Sequence, residues 1–256
     1  MTFRVRCALC HLLVSGVFAL LTALLVFVYW YPPPYARLVQ GLELFALLVF
    51  VDLVVGPVLT AVVANPHKGR RGLQRDIGVI AVLQLLAFGY GMQALAIARP
   101  VHLVFEVDRF RVVVAADVDE SKLSKALPDY RQLPWLGPTL VVARKSATSE
   151  EMTQALNLSL QGVEISMLPE RWAEYEPFAD AVLKSARPAA LLIEQYPEFA
   201  ATVQSAAQSH GLALEDVRFL PVVSRKSDAV ALVGGPKAAV LGFIPVDGFF
   251  TPVKKQ

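Results

Sequence analysis

Asp52 is the residue of this 256-residue chain whose surroundings most demand a chemical reason. It stands in VDLVVGP, residues 51–57, inside a long apolar run, with Gly56 and Pro57 one turn later. A carboxylate at a bilayer centre costs about 2.5–3.5 kcal/mol on insertion scales, so it pairs, faces water or is protonated. Gly56 lies four residues on and so shares its helix face. Pro57 lacks a backbone donor and frees the Leu53 carbonyl. Together the three form a small polar notch. It has three possible uses: packing the chain's own membrane helices, as small and polar residues commonly do; receiving a transmembrane helix of another protein; or serving a proton or ion path, for which a single deep acid is poorly suited. Gln84 is the expected partner within the chain. By helix rise it lies about 12 Å from the cytoplasmic end of its span, against about 18 Å for Asp52, so the two are within about one helical turn in depth. His11 lies nearer the cytoplasm, and Glu43 nearer the outer surface.

Other reactive side chains form weaker patterns. Cys7 and Cys10 have CxxC spacing beside His11, but a structural zinc site needs four ligands and a redox pair needs a thioredoxin-like context. They read as small apolar interface residues. Asp117, Asp119 and Glu120 read as the cap and first turn of a helix rather than a cation site. Asp108 and Arg109 read as a salt-bridged turn with a possible recognition role. With His102 they are also the only candidates for a polar pocket at the outer membrane surface. No GxSxG, HExxH, Walker-type or GxGxxG sequence is present, so no catalytic, metal or cofactor residue is assigned.

These residues sit on two kinds of element. Hydrophobic residues make up 55% of the chain and the mean hydropathy is +0.50, too apolar for an ordinary soluble protein. The excess falls before Arg99. Residues 8–30, 38–64 and 77–98, to within a few positions, are each long enough to cross about 30 Å of hydrocarbon. The first run continues into YWYPPPY, so it reads as an uncleaved anchor with an aromatic belt. Arg4 and Arg6 precede the first span, and Lys68, Arg70, Arg71 and Arg75 fill the loop before the third, whereas the first hairpin carries only Arg37. Basic residues mark the cytoplasmic side, so the N-terminus is expected in the cytoplasm and everything after Arg99 in the periplasm of a bacterium. Seven Lys and Arg against three acids precede Arg99, leaving −2 for the rest of a chain of net +2. The basic loop fits membrane lipid headgroups, and no basic patch marks the outer domain for nucleic acid.

Residues 99–256 are enough for one domain with its own core. VHLVFEV, FRVVVAADV and TLVVAR read as strands, with a turn at Asp108 and Arg109. TSEEMTQALNLSLQ reads as a helix capped by Ser149, with Met152, Leu156 and Leu160 on one face. ERWAEYEPFADAVLKSA has helical spacing, interrupted at Pro177. PEFAATVQSAAQSHG is a helix closed by Gly211, followed by three strands, the last two joined at Gly234, Gly235 and Pro236. The fold class is therefore three transmembrane α-helices (residues 1–98) followed by an extramembrane α+β domain with a mostly antiparallel sheet.

The joint occurrence of YWYP (29–32), VDLVVGPVLT (51–60), NPHK (65–68), DIGVIAVLQ (76–84), YG (90–91), RPVHLVFEVDRF (99–110) and LGP (136–138) resembles the type IV pilin accessory proteins TfpX and TfpZ. The likeness covers about the first 140 residues, with His102 where that pattern carries an aromatic. It implies an inner-membrane factor that binds the type IV major pilin, promotes its assembly or tunes pilus dynamics, and meets pilus assembly platform proteins. No catalytic residue or cofactor comes with it. Asp52, Gly56, Pro57, Gln84, Asp108 and Arg109 are the candidate partner-binding residues. A membrane-anchored pilin-modifying enzyme and a periplasmic ligand sensor are the alternatives; a sensor would have to pass its signal to another protein.

Overall fold

The computed structural model describes residues 2–64 and 69–251. The NPHK tetrapeptide, with Lys68 of the basic loop, lies outside the described residues. The chain divides into two compact units: Met1–Ala36 with Gln40–Arg99, and Arg37–Val39 with Pro100–Gln256.

The first unit contains three helices long and apolar enough to cross a membrane, Phe3–Trp30, Gly41–Val63 and Arg70–Ala98. The first is α1 (Phe3–Leu24) ending in a π-helical turn at Leu25–Trp30. After the single turn α2 (Tyr35–Leu38), the second span comprises α3 (Gly41–Phe50), a π-helical turn at Val51–Val55 and α4 (Gly56–Val63). The third is α5 (Arg70–Ala98). Pro57 explains the π turn in the second span. It cannot donate to the Leu53 carbonyl, and the helix widens so that the Gly56 N–H reaches back to the Val51 carbonyl. The sequence predicts a disturbance here, and a π turn accommodates it without ending the helix.

Small residues let the spans approach closely. A Cβ at Gly41 would lie 2.5 Å from the Tyr31 ring, and one at Gly91 would lie 2.5 Å from Leu48 Cδ1. Tyr31 donates its hydroxyl to the Leu95 carbonyl at 2.7 Å. Leu13, Leu20, Val62, Leu85 and Leu86 face outward, as lipid contact requires.

The second unit is α+β. Its strands are β1 (Pro100–Glu106), β2 (Arg109–Val114), β3 (Thr139–Ala143), β4 (Trp172–Glu174), β5 (Arg187–Pro188), β6 (Arg218–Val223), β7 (Ala229–Gly234) and β8 (Ala239–Ile244). Its helices are α6 (Ser149–Ser159), α7 (Ala179–Ser185), α8 (Ala189–Gln195) and α9 (Ala200–Ser209). The strand order is β4-β3-β1-β2-β6-β7-β8, with β5 beside β6. The sheet is mixed rather than mostly antiparallel, because β3 runs parallel to β1 and β6 parallel to β2. The hairpin β1–β2 is local. Residues 115–138 then carry the chain past β1, so β3 enters on its far side in the same direction.

One core cluster gathers Val101, Val104, Val113, Val141 and Trp172. A second gathers Leu192, Val203, Phe219, Leu232 and Ile244. Trp172 belongs to a short strand rather than a helix: Trp172 pairs with Ala143 and Glu174 with Val141. Thr148, not Ser149, caps α6 by accepting from the Glu151 N–H. The loop residues Arg37–Val39 join this unit through the Leu38 carbonyl, which accepts from Ser224 Oγ at 2.8 Å and the Lys226 N–H at 3.3 Å.

Glu151 ties α6 to the strand region. It accepts from Arg144 at 3.2 Å, from the Ala147 N–H at 2.8 Å and from buried Arg171 at 2.7 Å. The Arg144 hydrogen bond, then the Ala147 N–H and the Arg171 charge, bring its pKa down from 4.5 to about 2. A depressed carboxylate contributes stability above its unfolded pKa and loses it as the pH falls through the folded one. The thermal midpoint is therefore expected to drop between pH 4.5 and 2, and Glu151→Gln to weaken that dependence, as pH-resolved calorimetry will show.

Candidate functional site

The second span carries a polar line on its inner side, at Asp52, Gly56 and Thr60. Gly56, Pro57 and Thr60 are buried and Asp52 is half-buried. The Gly56 notch is occupied by the chain itself: an ideal Cβ there would lie 1.9 Å from Gln84 Nε2. The third span thus places its amide directly over the glycine. Gln84 does not bond Asp52; among the described residues the Asp52 carboxylate has no hydrogen-bond partner. The structure brings Gly56, Pro57 and Gln84 together and leaves Asp52 at the edge of the cluster.

Sequence reasoning missed the next step of the line. His11 Nδ1 lies 2.6 Å from Thr60 Oγ1, joining the first span to the second. His11 also comes within electrostatic reach of Asp52. The available signal was the four-residue repeat of Asp52, Gly56 and Thr60, which places a hydroxyl in register with the notch. Cys7 and Cys10 are free thiols. Among the described residues no three His, Cys, Asp or Glu side chains gather to hold a metal.

In the second unit Asp108 and Arg109 pair with each other at 2.8 Å, at the surface. Arg109 also lies 4.9 Å over the Phe249 ring. An exposed ion pair contributes about 0–1 kcal/mol. His102 is not with them. It lies six strand positions away, about 20 Å by strand rise, and is only 1% exposed. Its Nδ1 meets Thr139 Oγ1 at 2.6 Å, and its ring sits 4.3 Å from that of Trp172. Nε2 has no hydrogen-bond partner among the described residues. The acidic residues after β2 are each engaged separately: Asp117 accepts from the Val114 N–H and pairs with Arg225, and Asp119 caps its turn through Ser121. Buried Glu106, which carried no sequence signal, accepts from the Ser166 N–H at 3.1 Å and from Arg111 at 3.3 Å.

Two outcomes follow. Gly56→Leu must displace Gln84, so it is expected to lower stability in detergent by about 1–3 kcal/mol, with part of the loss recovered when Gln84→Ala is added. Burial pushes the His102 pKa down from 6.5 to about 4. Because charging is disfavoured in the folded state, stability is full above pH 6.5 and falls as the pH drops towards 4, by about 3 kcal/mol. Urea midpoints of His102→Phe are expected to stay level across that window.

Comparison with known proteins gives this arrangement its context. Residues 1–40 match the family profile described as Fimbrial assembly protein FimB. The chain is 34% identical over 240 residues to the fimbrial assembly protein of Dichelobacter nodosus serogroup I, covering 93% of each chain. It is 33% identical over 243 residues to that of serogroup E1, again over 93% of each. The protein from serogroups C1 and C2 is 39% identical over 116 residues, 45% of this chain and 88% of that relative. No solved structure matches significantly. With two relatives aligned along nearly their whole length, the chain belongs to the FimB family of fimbrial assembly proteins.

Proposed function

We propose that this protein is an inner-membrane accessory factor for type IV pili, of the TfpX and TfpZ kind, that binds the major pilin and promotes its assembly or tunes pilus dynamics. The observation that carries this reading is the similarity to fimbrial assembly proteins over 93% of each chain. Three apolar helices of spanning length support membrane residence. The basic residues flanking the first and third spans support a cytoplasmic N-terminus and a periplasmic outer unit. Membership of Arg37–Val39 and Pro100–Gln256 in one unit agrees with the first hairpin and the outer domain lying on the same side.

A pilin, as the resemblance implies, waits in the membrane by one hydrophobic helix with a carboxylate and an N-terminal amine. The spans receive that helix along the Asp52 side, where Asp52 is unpaired among the described residues and Val55 is exposed. Gly56 and Gln84 hold the second and third spans together behind this surface. The outer unit meets the pilin's globular part, pilus assembly platform proteins are further partners, and lipid headgroups meet the basic loop.

A photo-crosslinking amino acid at Val55 in living cells is expected to capture the major pilin, and Asp52→Asn to reduce both capture and piliation several-fold. Capture of this protein's own spans alone, in cells making pilin normally, contradicts the helix-receiving role. So does normal piliation and capture in both Asp52→Asn and Gly56→Leu.

A further inference from the structure

The tip of the β1–β2 hairpin and α6 border an apolar groove of about 480 Å³ in the outer unit, whose lining includes Val107, Lys145, Met152, Leu156, Glu164 and Ile165. The apolar stripe of α6 does not turn into the core. Met152, Leu156 and Leu160 are 66%, 62% and 80% exposed, and the buried residue of the helix is Ala155. A helix with a stripe at this spacing ordinarily covers it, and contiguous exposed apolar surface marks interaction sites.

Val107 extends the patch. It is 56% exposed, with φ +56°, and the Asp108 N–H bonds the Glu106 carbonyl at 2.6 Å around it. This is the strained form of γ-turn, and a β-branched residue is a rare occupant of that backbone region. The turn holds an apolar side chain outward at the rim of the groove.

The charges at the rim define the occupant. Arg144 and Arg171 share the single carboxylate of Glu151, so this cluster keeps a net positive charge. Glu164 is engaged by Arg111 at 3.7 Å and Ser159 at 3.5 Å. Lys145 is exposed and has no partner among the described residues, which adds a further cation beside the apolar floor. We propose that this groove docks an apolar segment of a partner protein that carries a carboxylate, the carboxylate pairing with Lys145 and the apolar side chains covering Met152, Leu156 and Val107. Glu150 in the first turn of α6 disfavours an anionic lipid surface as the occupant. The groove lies wholly within the outer unit, so the inference stands or falls apart from the Asp52 surface.

The test places a photo-crosslinking amino acid at Leu156 of the full chain in living cells and maps the captured peptide by mass spectrometry. The expected product is a peptide of a different protein in which apolar residues flank an Asp or Glu. Lys145→Glu is expected to reduce its yield about tenfold, and exchange of the mapped acid for Lys in the partner to restore it. Capture of lipid, of a second copy of this chain, of a segment without an acid, or of no protein overturns the proposal. A yield indifferent to Lys145→Glu does so too, provided the variant keeps the wild-type thermal midpoint.

Discussion

Hydrocarbon offers a polypeptide no hydrogen bonds, and the membrane unit is organised around that shortage. Pro57 brings a missing donor into the second span, and the π turn at Val51–Val55 accommodates it within one helix. The same constraint accounts for the polar side chains. Thr60 meets His11, Tyr31 reaches the Leu95 carbonyl, and Thr22 donates to the Phe18 carbonyl of its own helix. Each of these bonds fastens an element to another or to itself. Asp52 has no such bond among the described residues.

The second unit follows water's rules instead. Its two core clusters are built from β-branched and aromatic residues on strands, and its charged side chains pair at the edges. Buried Arg171 and Glu106 would be expensive alone. Glu151 and Arg111 meet them at the surface, which lets the sheet bury charged residues while their partners stay in contact with solvent. In α6 this ion pairing occupies one side of the helix, so the Met152 stripe is left to face outward.

The sequence revealed the spans because a globular core seldom needs an unbroken apolar run long enough to cross a bilayer. It also revealed the β1–β2 hairpin and the β7–β8 turn, whose signals are local. Contacts between the spans were harder to read. The His11–Thr60 contact joins residues 49 positions apart, and no local pattern encodes it. Trp172, Tyr175 and Phe178 imitate helical spacing because a three-residue strand is followed at once by a 3-10 turn. The parallel pairings β1–β3 and β2–β6 join segments far apart in the chain, and no local pattern encodes them. Short α8 went unread for a related reason, since its apolar residues answer to the sheet beneath rather than to a periodicity of their own.

The bond from Ser224 to the Leu38 carbonyl joins residues 186 positions apart. Leu38 leaves the ribosome early and its acceptor role is filled only when nearly the whole chain has been made. During biogenesis the first hairpin must therefore wait, with Leu38 and Val39 uncovered, until β6 and the turn after it arrive. A fragment cut at Pro100 would lack this clasp however well its strands were chosen, because part of the second unit is encoded before the second span begins.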